Sequence, residues 1–302
     1  ISLFNDKFKK IITWLNVYGD GIEKVNDERE LLLKFADLIT QYNPDVIVGY
    51  NSDNFDFPYI NERAEILGVS LKFNGFGIKI KGTRKVAEIN GKMHVDIFNF
   101  IRNIYAIYNL RTEVLDLNSV YSEMLGEKKD DFEWNKIDDI MVDRDLALKF
   151  CNYCLKDSML TFRIYNKVLD LMVGINKYIG QSLQDVSRMT TGAVVENFLM
   201  KKFIEKNEVI PNKPSDFEVN ERLKKVNIGA FVYQPSPGLY HNIGVVDFRS
   251  LYPSIIVSHN ICPSTIKIEG NNVSFVDKDE MVGLIPSVLE IVLKDRVEAK
   301  KG

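Results

Sequence analysis

Val245-Val246-Asp247-Phe248-Arg249-Ser250-Leu251-Tyr252-Pro253-Ser254-Ile255-Ile256 carries more chemical information than any other run in the sequence. Two β-branched residues lead into Asp247, and a strand is predicted over residues 244–248. A tight turn follows at once. Pro253 suits the first position of a helix, where its missing N–H costs nothing. Backbone N–H groups of such a turn can cradle phosphates, and an Asp beside them can hold the accompanying Mg²⁺. A plainer alternative stands next to this one: an Asp that ends a strand and caps the next turn.

Two places upstream also carry chemistry. Asp45-Val46-Ile47-Val48-Gly49-Tyr50 is short, β-branched and nearly all apolar, the pattern of a strand buried on both faces. Asn51-Ser52-Asp53-Asn54-Phe55-Asp56-Phe57 comes directly after it. Loops at the carboxyl ends of strands are where α/β folds hold ligands. Two carboxylates and an Asn there can bind a metal or a phosphate-bearing substrate. The same loop also reads as a polar cap for the next helix, with Asp53 or Asn54 as the capping residue. In Tyr153-Cys154-Leu155-Lys156-Asp157, helical spacing sets a phenol and a carboxylate side by side. Such a pair can orient a water that a metal has made nucleophilic. An amphipathic helix with a partly buried tyrosine accounts for the same letters without chemistry.

Around these places the sequence alternates strands and helices, which gives an α/β first domain. Residues 1–15 predict an edge hairpin, and Asp27-x-x-Glu30 a capping box that opens a helix stopped at Asn43-Pro44. A second helix follows Pro58 and ends at Gly68. Asn90-Gly91 marks a hairpin between two alternating runs. Further helices are predicted from Leu117 to Gly126 and from about Asp143 to Leu171. After Gly180 the pattern changes. A single helix over residues 183–206 is followed by a Pro-containing turn, a Gly- and Pro-rich extended stretch over 228–240, and a last helix near Pro286.

The 302 residues suffice for two domains of about 150 each, and 45% hydrophobic residues suit packed cores. No apolar run approaches the roughly 20 residues that span a bilayer, so no membrane partner is expected. The chain opens on Ile1 and closes on Lys300-Lys301-Gly302, so both ends are expected to be cuts. Three cysteines, Cys151, Cys154 and Cys262, are too few for a disulfide framework and point to a reducing compartment. The Cys151-x-x-Cys154 pair has no second pair to complete a zinc site and is read as ordinary helix. With 39 basic and 42 acidic residues, the charge balance by itself speaks weakly against nucleic acid. It leaves room for a local basic groove or for carboxylates neutralised by metal ions.

The run from Asp247 to Ile256 resembles the first polymerase motif of the family B DNA polymerases, Asp-Phe-x-Ser-Leu-Tyr-Pro-Ser-Ile-Ile. Residues 51–56 resemble that family's second exonuclease motif, and Tyr153-x-x-x-Asp157 its third. Asp185-Val186-Ser187-Arg188, Thr191-Gly192 and the string from Asn207 to Pro214 are similar to archaeal members. The resemblance covers essentially the whole chain. It implies a ribonuclease-H-like 3′–5′ exonuclease domain over residues 1–168, without its first strand. A linking segment of the N-terminal domain over 169–210, the start of an α+β palm over 211–286 and the start of a fingers helix over 287–302 follow.

By the same resemblance, Asp56 and Asp157 match two of four carboxylates that hold two Mg²⁺ ions, and Tyr153 the phenol that positions water. Their Asp-x-Glu partners are absent from the first residues. Asp247 matches one ligand of the second, polymerising pair of ions, with Mn²⁺ as the alternative to Mg²⁺. The carbonyl of Phe248 matches a metal contact, and the amides of Ser250 and Leu251 match triphosphate contacts. Tyr252 matches the ring that excludes a ribose 2′-OH. Asn51, Phe55 and Gly229 are the expected DNA contacts. Gly229 lies in Asn227-Ile228-Gly229-Ala230, where the family's linker usually carries a Tyr. The second catalytic Asp and the fingers Lys are missing.

Primer-template DNA, deoxynucleoside triphosphates and the remaining polymerase segments, in cis or as a second chain, are the implied partners. A sliding clamp is an optional one. A cytoplasmic, nucleoid-associated protein of DNA replication is expected. The rival expectation is an inactivated paralogue kept as a DNA-binding or structural subunit.

Overall fold

The computed structural model describes residues 1–301 except 72–76, 82–83, 90, 128–131, 211, 225–228, 230 and 271. It divides into two units, Ile1–Phe198 and Leu199–Gly302. Among the described residues no helix is long and apolar enough to cross a membrane.

In the first unit, β1 (Ser2–Asn5) and β2 (Phe8–Thr13) form the expected hairpin, and β3 (Ile22–Lys24) joins β2 in parallel, so β2 is central rather than an edge. Helix α1 (Glu28–Tyr42) starts where Asp27 accepts the Glu30 amide at 2.8 Å. The Glu30 carboxylate turns back to the Asn26 amide at 2.7 Å, one residue short of a strict capping box. Asn43, at φ 44°, ends the helix. Strand β4 (Val46–Gly49) leads into α2 (Asp56–Ile66), which starts two residues before Pro58.

Strands β5 (Gly77–Lys81) and β6 (Arg84–Glu88) are antiparallel, and β7 (Met93–Asp96) pairs in parallel with β4. The expected hairpin around Asn90-Gly91 is seen as a single bridge, Ile89 to Lys92, and β7 pairs in parallel with β4; Asn90 itself lies outside the described residues. Short α3 (Ile97–Phe100), a π-turn (Ile101–Tyr105) and α4 (Ala106–Asn109) follow, then α5 (Leu117–Leu125), closed by Gly126, and a 3₁₀ segment (Trp134–Met141).

Helix α6 (Arg144–Ile179) runs a further two turns beyond Leu171, until Gly180 at φ 71° releases it. Its buried stripe of Leu160, Ile164, Val168 and Met172 has helical spacing and packs on Val95, Ile97, Phe100 and Ile101. The long helix passes through position 168 without a break. The single helix expected over 183–206 is instead α7 (Leu183–Val186) and α8 (Thr191–Glu205). The break between them lets Arg188 turn inward. Strand β4 is half-buried along its length rather than covered on both faces, since β7 is its only ladder partner among the described residues.

The second unit holds α9 (Asp216–Lys224), α10 (Leu251–Ser258), a hairpin of β8 (Ile266–Glu269) and β9 (Asn272–Phe275), and α11 (Leu284–Ala299). Buried Asn260 is its hub: the side-chain amide donates to Val276 O and Met281 O, and its oxygen accepts from Gly283 N, each at 2.8 Å. The strand expected over 244–248 does not form. Val245 is 91% and Val246 96% exposed, and a lone extended segment has no ladder to stabilise it. Pro253 and Pro286 sit third in their helices, still within the first turn where N–H groups are unpaired.

Leu160 is fully buried against the strand layer. Leu160→Ala is expected to cost about 2–5 kcal/mol, read from the midpoint of denaturant unfolding followed by far-UV circular dichroism. A midpoint equal to wild type would mean that α6 does not close this core.

Candidate active site

Parallel pairing of β4 and β7 brings Gly49 and Asp96 opposite each other at their carboxyl ends. The loop of residues 50–55 leaves from this point. A side chain at Gly49 would run into the Ser52 hydroxyl, so only glycine fits. Ser52 Oγ lies 2.8 Å from His94 Nε2. Asn51 adopts the left-handed region at φ 61°. The buried Asp96 carboxylate accepts the amides of Asn51 at 2.9 Å and Asp53 at 3.0 Å. It also caps α3 by accepting Phe98 N at 3.0 Å, and accepts Asn99 Nδ2 at 3.3 Å.

Asp53 is 2% exposed. Arg188 grips it with two prongs, Nε to Oδ2 at 2.7 Å and Nη2 to Oδ1 at 3.0 Å. The Ala87 amide adds a third donor at 3.0 Å. Arg188 Nη1 donates to His94 O at 3.1 Å and to Gln184 O at 2.8 Å. His94 Nδ1 lies 3.0 Å from Arg188 Nη2, 3.2 Å from Ala87 O and 3.4 Å from Asp53 Oδ1.

Neither Asp53 nor Asn54 caps the next helix. Asp53 is committed to Arg188, and the Asn54 amide donates to Asn51 Oδ1 at 2.8 Å. Phe55 takes the cap position without a side-chain hydrogen bond, and Asp56 is the first residue of α2, where a carboxylate suits the helix dipole. Phe55 is exposed and lies parallel to Tyr59, with ring centroids 6.0 Å apart.

Burial alone would push the Asp53 carboxyl up, but the His94 ring and the Arg188 guanidinium outweigh it and hold Asp53 far below the usual carboxylate range. Asp96 is raised by burial, with the Asp53 charge adding to it against the amides it accepts. Asp56 is exposed as a residue, yet loss of water around its carboxyl raises it, and the nearby Asp96 charge adds to the effect. Tyr50 is raised by burial and by Asp116 and Asp96, and its hydroxyl donates to Leu115 O at 2.7 Å.

Helix α6 packs across β4 and carries Tyr153 and Asp157, both half-buried, one turn apart on one face. The Tyr153 ring stands edge-on to Trp134 at 5.6 Å and near Phe132 at 5.9 Å. Among the described residues no three His, Cys, Asp or Glu side chains are grouped to hold a metal ion. Asp56 and Asp157 therefore do not by themselves close a cation site. A cavity of about 520 Å³ opens beside the loop, with Asn54, Asn99, Arg102, Arg188 and Thr190 in its wall.

In the second unit Asp247, Phe248 and Tyr252 are exposed, and Ser250, at φ 52°, takes the cap position of α10. Arg296 Nη1 donates to Ser250 Oγ at 3.2 Å. Leu251 is the first residue of that helix. Gly229 is exposed, while Asn227, Ile228 and Ala230 lie outside the described residues.

Sequence reasoning missed Asp96 and His94, and gave Arg188 no role. The signal was present in Met93-His94-Val95-Asp96, where two polar letters interrupt a strand whose side chains are buried.

A family model described as "DNA polymerase family B, exonuclease domain" matches residues 3–120, and one described as "DNA polymerase family B" matches 183–302. The DNA polymerase of Thermococcus litoralis is 35% identical over all of this chain and 18% of its own length. DNA polymerase 1 of Pyrococcus abyssi is 35% identical over all of this chain and 40% of its own. The family B DNA polymerase structure from the hyperthermophilic archaeon Pyrobaculum calidifontis superposes with a TM-score of 0.67 at 27% identity, over 92% of this chain and 38% of that one. The chain thus spans less than half the length of these relatives.

Removing one partner of a buried ion pair strands the other charge, so Arg188→Met is expected to cost about 3–5 kcal/mol. Asp53 has a lowered folded-state pKa. Its contribution is complete above the unfolded carboxylate value and is lost as pH falls below about 4. Asp56 and Asp96 are raised and contribute with the opposite sign in both proteins. The wild-type minus variant difference in unfolding free energy should therefore shrink steadily from pH 5 toward acid. A difference independent of pH would remove Asp53 as the partner.

Proposed function

Since this chain belongs to the family B DNA polymerases, we propose that it forms the 3′–5′ editing part of a DNA-directed DNA polymerase, joined to the first segment of its polymerising part. The first unit then is a ribonuclease-H-like exonuclease domain, and the second begins the palm. The observation that carries this reading is the loop at the carboxyl ends of β4 and β7. It presents Asn51, Phe55 and Asp56, while α6, which packs on β4, carries Tyr153 and Asp157 one turn apart.

The substrate of this site is a single-stranded 3′ end. The exposed ring of Phe55 offers a stacking surface for a base, and the cavity beside the loop has the size of a nucleotide site. Divalent ions, Mg²⁺ or Mn²⁺, supply the charge that makes a water nucleophilic and stabilises the leaving oxygen. Asp56 and Asp157 would each give a carboxylate to such ions, and the Tyr153 phenol would orient the water. Further ligands come from other polymerase segments, in cis or in a second chain.

For synthesis, the exposed run 244–248 would become a strand only when paired, and its apolar side chains, Val245, Val246 and Phe248, mark it as a face to be covered. Asp247 would give one carboxylate to the second pair of ions, with the Phe248 carbonyl beside it. The amides of Ser250 and Leu251 face the triphosphate, and Tyr252 excludes the ribose 2′-OH. Gly229 lies in the passage between the two sites. Primer-template DNA and deoxynucleoside triphosphates are the ligands, and a sliding clamp is an optional partner. The incomplete ligand set also fits an inactive DNA-binding subunit, but a loop fixed by two buried carboxylates and an arginine suits a site that has to hold its shape.

In a polymerase carrying this chain, Asp56→Ala and Asp157→Ala should each lower excision of a mismatched 3′ end by roughly two to three powers of ten, with primer extension retained. Asp247→Ala should reverse the pattern. Excision that survives both first-unit substitutions would remove the editing reading. Tyr252→Ala should admit ribonucleotides in single-nucleotide incorporation, and an unchanged sugar preference would remove its gating role.

A further inference from the structure

The loop that carries Asp56 is held from behind by a residue that does not reach the substrate side. We propose that Asp96 is a positioning residue for excision, a clip that presets the loop before any ligand arrives; this rests on the editing reading above. Its two oxygens straddle Ser52, one accepting the Asn51 amide and the other the Asp53 amide. The grip falls on a turn whose first residue, Asn51, sits in the left-handed region, a conformation asparagine tolerates better than most side chains. Four donors converge on the carboxylate: the amides of Asn51, Asp53 and Phe98 and the side chain of Asn99. An ionised carboxylate has about four acceptor positions, so none is left for a cation. Asp96 is fully buried, so it does not touch DNA. Arg188 closes the clip from the other side by holding the Asp53 side chain. With both ends of the turn fixed, Phe55 and the start of α2 at Asp56 have one place to stand.

Asp96→Asn keeps the shape but turns one acceptor into a donor facing an N–H. In the full 302-residue chain, amide hydrogen exchange at Asn51 and Asp53 should quicken roughly tenfold or more, while core amides of α6 keep their rates. In a polymerase carrying the chain, kcat for excision should fall by about 10²-fold, with KM for the 3′ end and primer extension unchanged. Asp96→Glu, which keeps the charge, should recover part of the loss. Unchanged exchange at Asn51 and Asp53 would overturn the proposal, and so would equal acceleration in α6, which would make Asp96 a residue of general stability. Should Asp96→Asn not fold, Arg188→Lys is read in its place, with the same contrast expected between the Asp53 and Ala87 amides and α6. The exchange result stands apart from the editing reading, which fails only if Asp56→Ala leaves excision intact.

Discussion

The first unit is organised around a carboxylate it cannot leave alone. Asp53 is buried, and an unpaired buried charge would cost several kcal/mol. Its partner is Arg188, 135 residues further along the chain. To deliver that guanidinium, the segment after α6 interrupts its own helix between Val186 and Thr191 and turns inward. His94 and Asp96 complete the arrangement from β7, so one polar cluster joins the strand pair, the loop after β4 and the segment after α6. An apolar core of the same volume would be at least as stable. What the charged cluster supplies instead is a loop conformation in which Asn51 is held at a positive φ and Asp56 begins a helix.

The second unit shows the opposite balance. It has a well-joined centre at Asn260, yet its most informative run stands in solvent. Val245, Val246 and Phe248 expose most of their surface, and Leu239 and Phe231 do the same. Apolar residues in extended backbone gain little until another strand pairs with them. The relatives are more than twice as long as this chain. Both facts accord with the proposal above, in which the Asp247 turn and α10 are one part of a site assembled from several segments.

Much of the secondary structure was legible, because capping and stop signals are local: Asp27 and Asn43 bound α1, Asp143 opens α6 and Gly126 closes α5, although α6 runs on past Leu171 to Gly180. What failed depended on distant partners. A β-branched run at 244–248 has strand propensity but no ladder. The break before α8 followed from Arg188 and Asp53, which no window of sequence contains together. Asp56, Tyr153 and Asp157 stood out by their motifs and keep the role proposed for them above, whereas Asp96 was hidden in an ordinary strand pattern. Its importance comes from hydrogen bonds to backbone, which sequence letters do not display. Family models and long relatives then gave the resemblance its footing over residues 3–120 and 183–302.

The most direct test of a cation-assisted editing site in the first unit is paramagnetic line broadening. Mn²⁺ would be added to an isotopically labelled polymerase that carries this chain together with the segments supplying the further ligands, in the presence of a single-stranded deoxyoligonucleotide, and amide resonances followed residue by residue. The account requires broadening centred on Asp56 and Asp157, spreading to Asn51 and Phe57 and weakened by Asp157→Asn. Broadening confined to other acidic surfaces, with Asp56 and Asp157 sharp throughout, would contradict it.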